Sequence, residues 1–366
     1  MTRALYFLLL LPLTLVIAGA ATAAQPTVNI FNWNDYFAEE TLEQFQAATR
    51  IKPVIDLYDS NETLEAKLLA GRSGYDLVFP TARPFAARHI KAGIYLPLDR
   101  DKLSGWNNLD PELMQSLGKI DKDNRFLAPY MWGTTGLGIN VPKINEILGE
   151  EIPADSWALV FDPAISAKLK QCGISLMDDS TEVFAAALTY LGRDPNSTAQ
   201  QDLDAVQALI AAIRPNIRYF HSSQYISDLA NGDLCVAHAY SGDALQAATR
   251  ATEAGNGVEV SYVIPQEGAV LWVDVMAVPA DAPHPEQAMA FIDFMLQPQN
   301  IAAASNYVFY ANANSAATPL LDEELRNDPY IYPDDDMRKK LFVPAERSDK
   351  ETRTLNRLWT RIKANR

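Results

Sequence analysis

The sequence predicts an α/β protein of two domains, and three observations support this prediction. Strand-like and helix-like segments alternate between residues 28 and 79, a pattern typical of a parallel sheet wrapped by helices. The chain has 366 residues, which is long for one hydrophobic core and favours two domains. Residues 126–141 contain two extended stretches with no helix between them, and we interpret them as a strand that passes from one domain to the other.

The N-terminal region is predicted to contain three strands that alternate with two helices. The predicted strands lie at 28–31, 54–57 and 77–79. A helix is predicted at 38–49, because Leu42, Phe45 and Ala48 fall on one side of it. The next helix is expected to begin near Ser60 and to end at Gly71. Together these elements form a βαβαβ unit, which predicts parallel strands.

The rest of the chain continues this mixture of elements. Further strands are predicted at 174–176, 235–239, 260–264 and 270–278, and further helices at 182–191, 205–213 and 285–296. The segment after residue 318 is polar and predicted to be helical in places.

The N-terminus is predicted to be a secretory signal peptide that is removed, covering residues 1–24. Arg3 precedes an apolar run at 5–18, and small residues follow with an Ala21-Thr22-Ala23 cleavage pattern. An N-terminal anchor helix is the alternative, but the apolar run is too short to span a bilayer. The mature chain is therefore expected to be soluble and periplasmic.

The charge balance points away from nucleic acid. Lys and Arg total 31 against 46 Asp and Glu, which gives a net charge of −15. Phosphate contacts need clustered basic side chains, so no nucleic-acid partner is predicted. An acidic surface attracts small cations at long range, although it also simply serves solubility.

The two cysteines, Cys172 and Cys235, form an even pair in a chain expected to be exported. An oxidising compartment favours one disulfide between them. A metal-binding pair or two buried thiols are the alternatives.

No motif of catalysis or cofactor binding is found. The four histidines lack metal-ligand spacing, and no Gly-x-Ser-x-Gly or phosphate-binding glycine loop is present. We therefore predict no metal, no cofactor and no catalytic residue. A hydrolase built on an unmarked pair of carboxylates remains an open alternative.

Aromatic residues and acids recur together at the ends of predicted strands. The sets are Trp33, Asp35 and Tyr36; Tyr240 and Asp243; and Trp272 and Asp274, with Tyr310 and Glu182 in comparable positions. Trp272 and Asp274 alternate with Val273, so both side chains lie on one face of a strand. Aromatic faces and carboxylates together suit an organic cation. Taken singly, each aromatic is better explained as a core residue and each acid as a solvated helix cap.

Several segments of the chain resemble the periplasmic polyamine-binding proteins, the putrescine and spermidine receptors of bacterial ABC importers, and two of them contain Trp33, Asp35, Tyr36 and Tyr310. The segments are NWNDY at 32–36, DSNE at 59–62, PYMW at 129–132, RPNIRYFHSSQY at 214–225, DLANGD at 228–233 and VFYANAN at 308–314. The resemblance covers essentially the whole mature chain and is nearest to the putrescine-type receptor.

The resemblance implies a two-lobed solute-binding protein of type II, in which each lobe is a mixed sheet flanked by helices and the ligand lies between the lobes. The first lobe is expected at 25–133 and 260–302, and the second at 134–259 and 303–366. It also implies a non-enzymatic receptor that is a monomer, binds a short polyamine and delivers it to an inner-membrane ABC permease. Putrescine-like diamines are expected first, with spermidine and agmatine as further ligands.

The resemblance also implies the binding residues. Those expected to contact the ligand are Trp33, Asn34, Asp35, Tyr36, Thr81, Arg83, Glu182, Tyr240, Asp243, Trp272, Asp274 and Tyr310. The aromatic members are expected to stack on the methylene chain and the acids to hold the amines. Cys172 and Cys235 match the disulfide of the family.

The chain departs from the family pattern at several of these positions. Asn34 stands where a serine is usual, Tyr240 where a tryptophan is usual, and Trp272 where the putrescine-type receptor has phenylalanine. Arg83 replaces a small or polar residue in a loop one residue longer than the pattern.

Arg83 leaves a second ligand class open. A cation repels a diamine but attracts a carboxylate, so an ω-amino acid such as 4-aminobutyrate or 5-aminovalerate is the alternative ligand. Otherwise Arg83 points into solvent or pairs with a nearby acid. A chemosensory receptor subunit is the alternative to a permease-coupled receptor, and an extracytoplasmic amine-converting enzyme is the rival class.

Overall fold

The computed structural model describes residues 25–149 and 154–364, so the predicted signal peptide at 1–24 lies outside the described residues. The strands are β1 Thr27–Trp33, β2 Lys52–Tyr58, β3 Leu77–Val78, β4 Ala128–Asn140, β5 Ile174–Leu176, β6 Tyr219–Phe220, β7 Val236–Tyr240, β8 Val260–Val263, β9 Ala269–Met276, β10 Ala311–Asn312 and β11 Leu341–Phe342. All predicted strands and all predicted helices are present, but the helices Ser241–Ala254 and Pro298–Val308 were not predicted.

The helices begin in several places at a side-chain cap. They are α1 Glu39–Thr49, α2 Asn61–Leu69, α3 Ala87–Lys91, α4 Pro111–Leu117, α5 Val141–Leu148, α6 Ala158–Phe161, α7 Pro163–Leu169, α8 Ser180–Tyr190, α9 Gln200–Ile213, α10 Tyr225–Ala230, α11 Ser241–Ala254, α12 Pro285–Met295, α13 Pro298–Val308, α14 Glu323–Asn327, α15 Asp335–Arg338 and α16 Asp349–Lys363. Ser60 caps α2 and Asp179 caps α8, because each side chain accepts hydrogen bonds from backbone N–H groups of the first turn.

The N-terminal βαβαβ prediction is confirmed in a small parallel sheet. Its order is β2-β1-β3, and β1 pairs in parallel with both neighbours. Val28 and Ile30 of β1 are fully buried, since β1 is the central strand with helices packed on it. Isolated bridges from Val78 to Ala277 and from Thr81 to Asp274 connect this sheet to β9.

The larger sheet has eight strands, and β4 runs through its centre. The first half of β4 pairs with β9 and β10, and its second half pairs with β7 and β8. β5 lies between β7 and β6, in parallel with both. The predicted strand at 126–141 therefore exists and joins two regions of the molecule.

Two large hydrophobic clusters correspond to two lobes. The first contains Val28, Tyr130 and Met276, and the second contains Leu137, Val236 and Leu358. β4 contributes to both clusters, as expected for a strand that crosses between lobes.

The packing of residues 303–331 differs from the predicted lobe boundary. Val308, Ala317 and Ile331 belong to the first cluster, whereas the sequence analysis assigns 303–366 to the second lobe. The helix α13 follows α12 directly and packs against α12, α1 and α11, so it contacts helices of both lobes. α16 packs in the second cluster through Leu355 and Leu358. The exact lobe boundaries stay a prediction.

Cys172 and Cys235 form a disulfide across a sequence separation of 63 residues. This pairing stabilises the second lobe by about 4 kcal/mol on the chain-entropy account. Within residues 25–149 and 154–364, no helix combines the length and apolar character that crossing a membrane requires.

Candidate binding cleft

A cavity lies where the two clusters meet. Its lining residues are Trp33, Asn34, Tyr36, Tyr58, Asp59, Thr81, Glu182, Ser222, Ser223, Tyr240, Asp243, Trp272, Asp274 and Tyr310. Ten of the twelve predicted ligand-binding residues are among them, and Asp35 and Arg83 are not. We call this cavity the slot.

The ends of strands and the starts of helices position these side chains. Trp33, Tyr58 and Tyr240 are the last residues of β1, β2 and β7. Glu182 and Asp243 lie in the first turns of α8 and α11. Carboxyl ends of strands in α/β sheets are the usual place for ligands, so both lobes present their ligand edges to the same space.

Five aromatic rings form a continuous wall around the slot. Ring centroids are 6.2 Å apart for Trp33 and Tyr240, 5.7 Å for Tyr240 and Trp272, and 5.1 Å for Trp272 and Tyr310. Tyr36 completes the row at 5.5 Å from Tyr310. The rings meet at steep angles, the edge-to-face geometry that aromatic pairs favour.

Two glycines make room for this wall. A Cβ on Gly133 would lie 2.7 Å from the Trp272 ring, and a Cβ on Gly242 would lie 2.6 Å from the Tyr310 ring. A side chain at either position would clash with the neighbouring ring, so the ring or the backbone would have to move. Gly133 and Gly242 therefore allow the backbone to approach the rings of Trp272 and Tyr310 closely.

Asp274 is a buried carboxylate of the slot that two side-chain hydroxyl groups hold in place. It is 4% exposed and accepts hydrogen bonds from the Tyr36 hydroxyl at 3.0 Å and the Thr81 hydroxyl at 2.7 Å. Asn61 holds Thr81 in place, because its amide nitrogen lies 2.9 Å from the Thr81 hydroxyl. Burial raises the pKa of Asp274 to about 7, against the opposing effect of the two hydroxyl donors.

Asp243 has an equivalent arrangement on the other lobe. Its two carboxylate oxygens accept hydrogen bonds from the Tyr225 and Tyr310 hydroxyls, each at 2.6 Å. Burial raises the pKa of Asp243 to about 6, and the two tyrosine donors partly oppose that shift. The structure thus holds two dehydrated carboxylates in fixed orientations, which a protonated amine would satisfy.

Glu182 is the third buried acid of the slot. It is 7% exposed, and its Oε2 atom has no hydrogen-bond partner within the described part of the chain. Burial, followed by the neighbouring charge of Asp179, raises its pKa well above the usual range. An unpartnered buried carboxylate oxygen is costly, so this atom is suited to accept a bond from a ligand.

Asp35 and Arg83 make contacts away from the slot. Asp35 pairs with Arg250 of α11 at 2.9 Å, and the Asp35 side chain is 41% exposed. Arg83 lies 3.9 Å from Glu346, so the alternative that Arg83 pairs with a nearby acid agrees with the structure. Asn34 does line the slot and donates a hydrogen bond to the Ser223 hydroxyl at 3.3 Å.

The sequence analysis missed several residues of the slot. Tyr58 and Asp59 follow the end of β2, so the strand-end argument that identified Trp33 could have found them. Ser222 and Ser223 follow the very short strand β6, which carries no recognisable hydrophobic pattern. Tyr225 is also missed, although it holds Asp243 from behind.

The chemistry of the slot is that of recognition. It offers acceptor oxygens and aromatic faces to a guest, and no group of three His, Cys, Asp or Glu among the described residues is placed to hold a metal ion. A site between two α/β lobes that both line it is the arrangement expected of a two-lobed solute-binding protein.

Comparison with known proteins establishes the family. The profile of the bacterial extracellular solute-binding protein family matches residues 40–332, and the chain belongs to this family. It is 51% identical to the putrescine-binding periplasmic protein PotF of Escherichia coli, over 96% of this chain and 95% of that protein. It is 49% identical to the putrescine-binding periplasmic protein SpuD of Pseudomonas aeruginosa, over 98% of both chains.

A solved structure supports the same fold. The spermidine/putrescine ABC transporter substrate-binding protein PotD from Streptococcus pneumoniae superposes with a TM-score of 0.72 at 29% identity, covering 93% of this chain and 99% of that one. The fold prediction and the predicted resemblance are confirmed. The family is one of solute-binding proteins rather than enzymes.

Proposed function

We propose that the chain is an exported receptor that binds a short diamine of the putrescine type and delivers it to an inner-membrane ABC importer. The observation that carries this proposal is the pair of buried carboxylates, Asp274 and Asp243, set at an aromatic-walled slot. The relatives described as putrescine-binding proteins support the same ligand class.

The physical fit of a diamine follows from the two kinds of surface in the slot. Each ammonium group replaces its water shell with carboxylate oxygens, and such charged hydrogen bonds contribute roughly 1.5–3 kcal/mol. The methylene chain lies against the rings of Trp33, Tyr240 and Trp272. Cation–π attraction contributes about 0.5–2 kcal/mol more for each ammonium close to a ring face.

The acids are assigned to the two ends of the guest. Asp274 and Asp243 are connected through the rings of Tyr36 and Tyr310, which are 5.5 Å apart, and we assign both to one ammonium group. Glu182, which has an unpartnered oxygen, is assigned to the other. We assign Asp35 to a contact between the lobes, since its carboxylate already forms an ion pair with Arg250.

Binding is expected to favour the closed arrangement of the lobes. The slot draws Trp33, Tyr36 and Asp274 from the first lobe and Glu182, Tyr240 and Asp243 from the second. A ligand that contacts both lobes stabilises their approach, and a permease can distinguish the two forms by differential affinity. We further propose that the mature receptor is periplasmic and monomeric.

The first test is a ligand screen. Ligand that binds only the folded protein must raise the melting temperature, so putrescine, cadaverine, spermidine, agmatine, 4-aminobutyrate and 5-aminovalerate are compared by thermal shift. Putrescine is expected to give a clear shift, and calorimetry followed by recovery of unaltered putrescine then separates binding from turnover. A shift only with the ω-amino acids, or conversion of the amine, would reject the proposal.

Arg83→Ser tests the alternative ligand class. Because Arg83 pairs with Glu346 and does not line the slot, the ratio of putrescine to 5-aminovalerate affinity is expected to change less than about 2-fold. Lys91→Ser, which removes the other cation near Glu346, is the matched control. Loss of 5-aminovalerate binding in Arg83→Ser alone would place Arg83 at the ligand.

A further inference from the structure

A row of three arginines lies on the exposed face of α16. Arg353, Arg357 and Arg361 are four residues apart, so they follow one another along one side of the helix over about 12 Å. We call these three residues the arginine row. The shallow surface that they form with their neutral neighbours is lined by Arg353, Thr354, Asn356, Arg357, Thr360 and Arg361.

The charge of this surface is opposite to that of the chain as a whole. The protein has 46 acidic and 31 basic side chains, yet three arginines and three neutral polar side chains line this face of α16. Like charges four residues apart destabilise a helix, and a face that is merely solvated usually alternates the two signs. The arginine row is therefore unfavourable for the helix by itself, which indicates contact with a negatively charged partner.

The arginine row lies beside the opening between the lobes. Lys363 of α16 pairs with Asp178 at 2.7 Å, and the Ser180 hydroxyl donates a hydrogen bond to Asn356 Oδ1 at 3.3 Å. Ser180 is the first residue of α8, and Glu182 in the same turn lines the slot. Asn356 also lines a crevice whose opposite side belongs to α2 of the first lobe. A partner on the arginine row therefore lies next to both lobes.

The buried face of α16 argues against a lipid surface as this partner. Apolar side chains that could enter a bilayer are already packed into the second lobe, and they are Leu355, Leu358, Trp359 and Ile362. The net charge of −15 also repels an anionic membrane at long range. Guanidinium groups instead suit carboxylates, which they bind in a bidentate geometry.

We infer that the arginine row docks the receptor on an acidic protein surface of the ABC importer. A permease that distinguishes the closed form from the open form has to contact the receptor beside the cleft, because only a partner that spans the cleft experiences the relative position of the lobes. The arginine row provides a charged contact at that place, and complementary charges accelerate the encounter and fix its orientation. This inference rests on the proposed function and adds a partner-binding surface to it.

The test measures delivery separately from ligand binding. Purified mature receptor, saturated with putrescine, is added to spheroplasts of the source bacterium that lack the receptor gene, and uptake of labelled putrescine is followed against receptor concentration. The triple variant Arg353→Gln, Arg357→Gln and Arg361→Gln is expected to raise the half-saturating receptor concentration at least about 10-fold. Its putrescine affinity by isothermal titration is expected to change less than about 2-fold, because the arginine row does not line the slot.

A matched triple variant controls for net charge. Lys143→Gln, Lys168→Gln and Lys170→Gln remove three exposed charges in and next to α5 and α7 of the second lobe. This control is expected to change the half-saturating concentration less than about 2-fold. An equal rise in both triple variants would overturn the inference, since the effect would then come from total charge.

Folding is checked by melting curves of both triple variants. Glutamine is a good helix former and removes the repulsion within the arginine row, so the melting temperature is expected not to fall. If the arginine variant nevertheless melts lower than the parent, the single variant Arg357→Glu decides, with an expected rise of at least about 3-fold in the half-saturating concentration.

Two further outcomes separate the partner and the proposals. Binding of the parent to vesicles of phosphatidylethanolamine and phosphatidylglycerol, with loss in the arginine variant, would assign the arginine row to lipid and overturn the inference. A parent that binds no putrescine, or that binds it and supports no uptake, contradicts the proposed function. A parent that supports uptake at the same half-saturating concentration as the arginine variant contradicts only the role of the arginine row.

Discussion

Replacing Asp274 with asparagine is expected to weaken putrescine binding by about 2 kcal/mol or more, roughly 30-fold. The amine would still lose its water on entering the slot, but the charged acceptor that compensates would be gone. Asparagine has nearly the same shape as aspartate and can still engage Tyr36 and Thr81, so the wall of the slot should persist. Isothermal titration at about pH 8 measures the loss.

The control for this substitution is Asp101→Asn, which removes one negative charge from an exposed position. It reports how much of the effect is long-range attraction by an acidic protein, and a change below about 2-fold is expected. If Asp274→Asn binds putrescine as tightly as the parent and Asp101→Asn, the assignment of the slot is wrong.

The strand-end pattern predicted much of the slot because that signal is local. Trp33 and Tyr240 are the last residues of apolar strands, and the carboxyl ends of strands are the usual place for ligands in α/β sheets. Asp274 lies near the end of β9 and is held at the slot beside Thr81, with which it forms an antiparallel bridge. The strand β4 was also predicted from a local pattern. Its thirteen residues show no helical periodicity, which favours an extended strand.

Contacts between segments that are distant in the sequence could not be predicted from local patterns. The partner of Asp35 is Arg250, 215 residues further along, and that of Arg83 is Glu346, in a polar segment without a period. Whether an acid faces a ligand or an arginine depends on how the lobes meet, which no local pattern encodes.

The helix α13 illustrates a second limit. Its buried face includes Ala302 and Ala304, side chains too small to give a strong hydrophobic pattern, and its position depends on packing against α1 and α12. The sequence analysis took the lobe boundary at residue 302 from the family resemblance, and the exact boundaries stay a prediction.

A second large effect is expected from pH, because dehydrated acids bind protons in the absence of a cation. Burial raises the pKa of Asp274 to about 7 and that of Asp243 to about 6. A bound ammonium favours the ionised form of both, so binding must displace the protons that the empty slot holds. Affinity for putrescine is therefore expected to rise with pH and to fall as pH decreases through 7 and then 6.

The size of the effect follows from these two pKa values. Between about pH 8 and pH 5, protonation of Asp274 weakens binding by about 100-fold and that of Asp243 by about 10-fold, which together give up to about 1,000-fold. Hydration of an open cleft in the free protein reduces this figure, since water stabilises the ionised carboxylates.

Two measurements check the pH dependence and its origin. Titrations in buffers with different ionisation enthalpies should show about one proton released per putrescine near pH 6.5. Asp274→Asn should reduce the pH dependence to about 10-fold, because only Asp243 then titrates. An affinity that changes less than about 3-fold over this range would show that the two carboxylates are ionised before the amine arrives. The energy of binding would then come from replacing water around existing charges and not from exchanging a proton for an ammonium group.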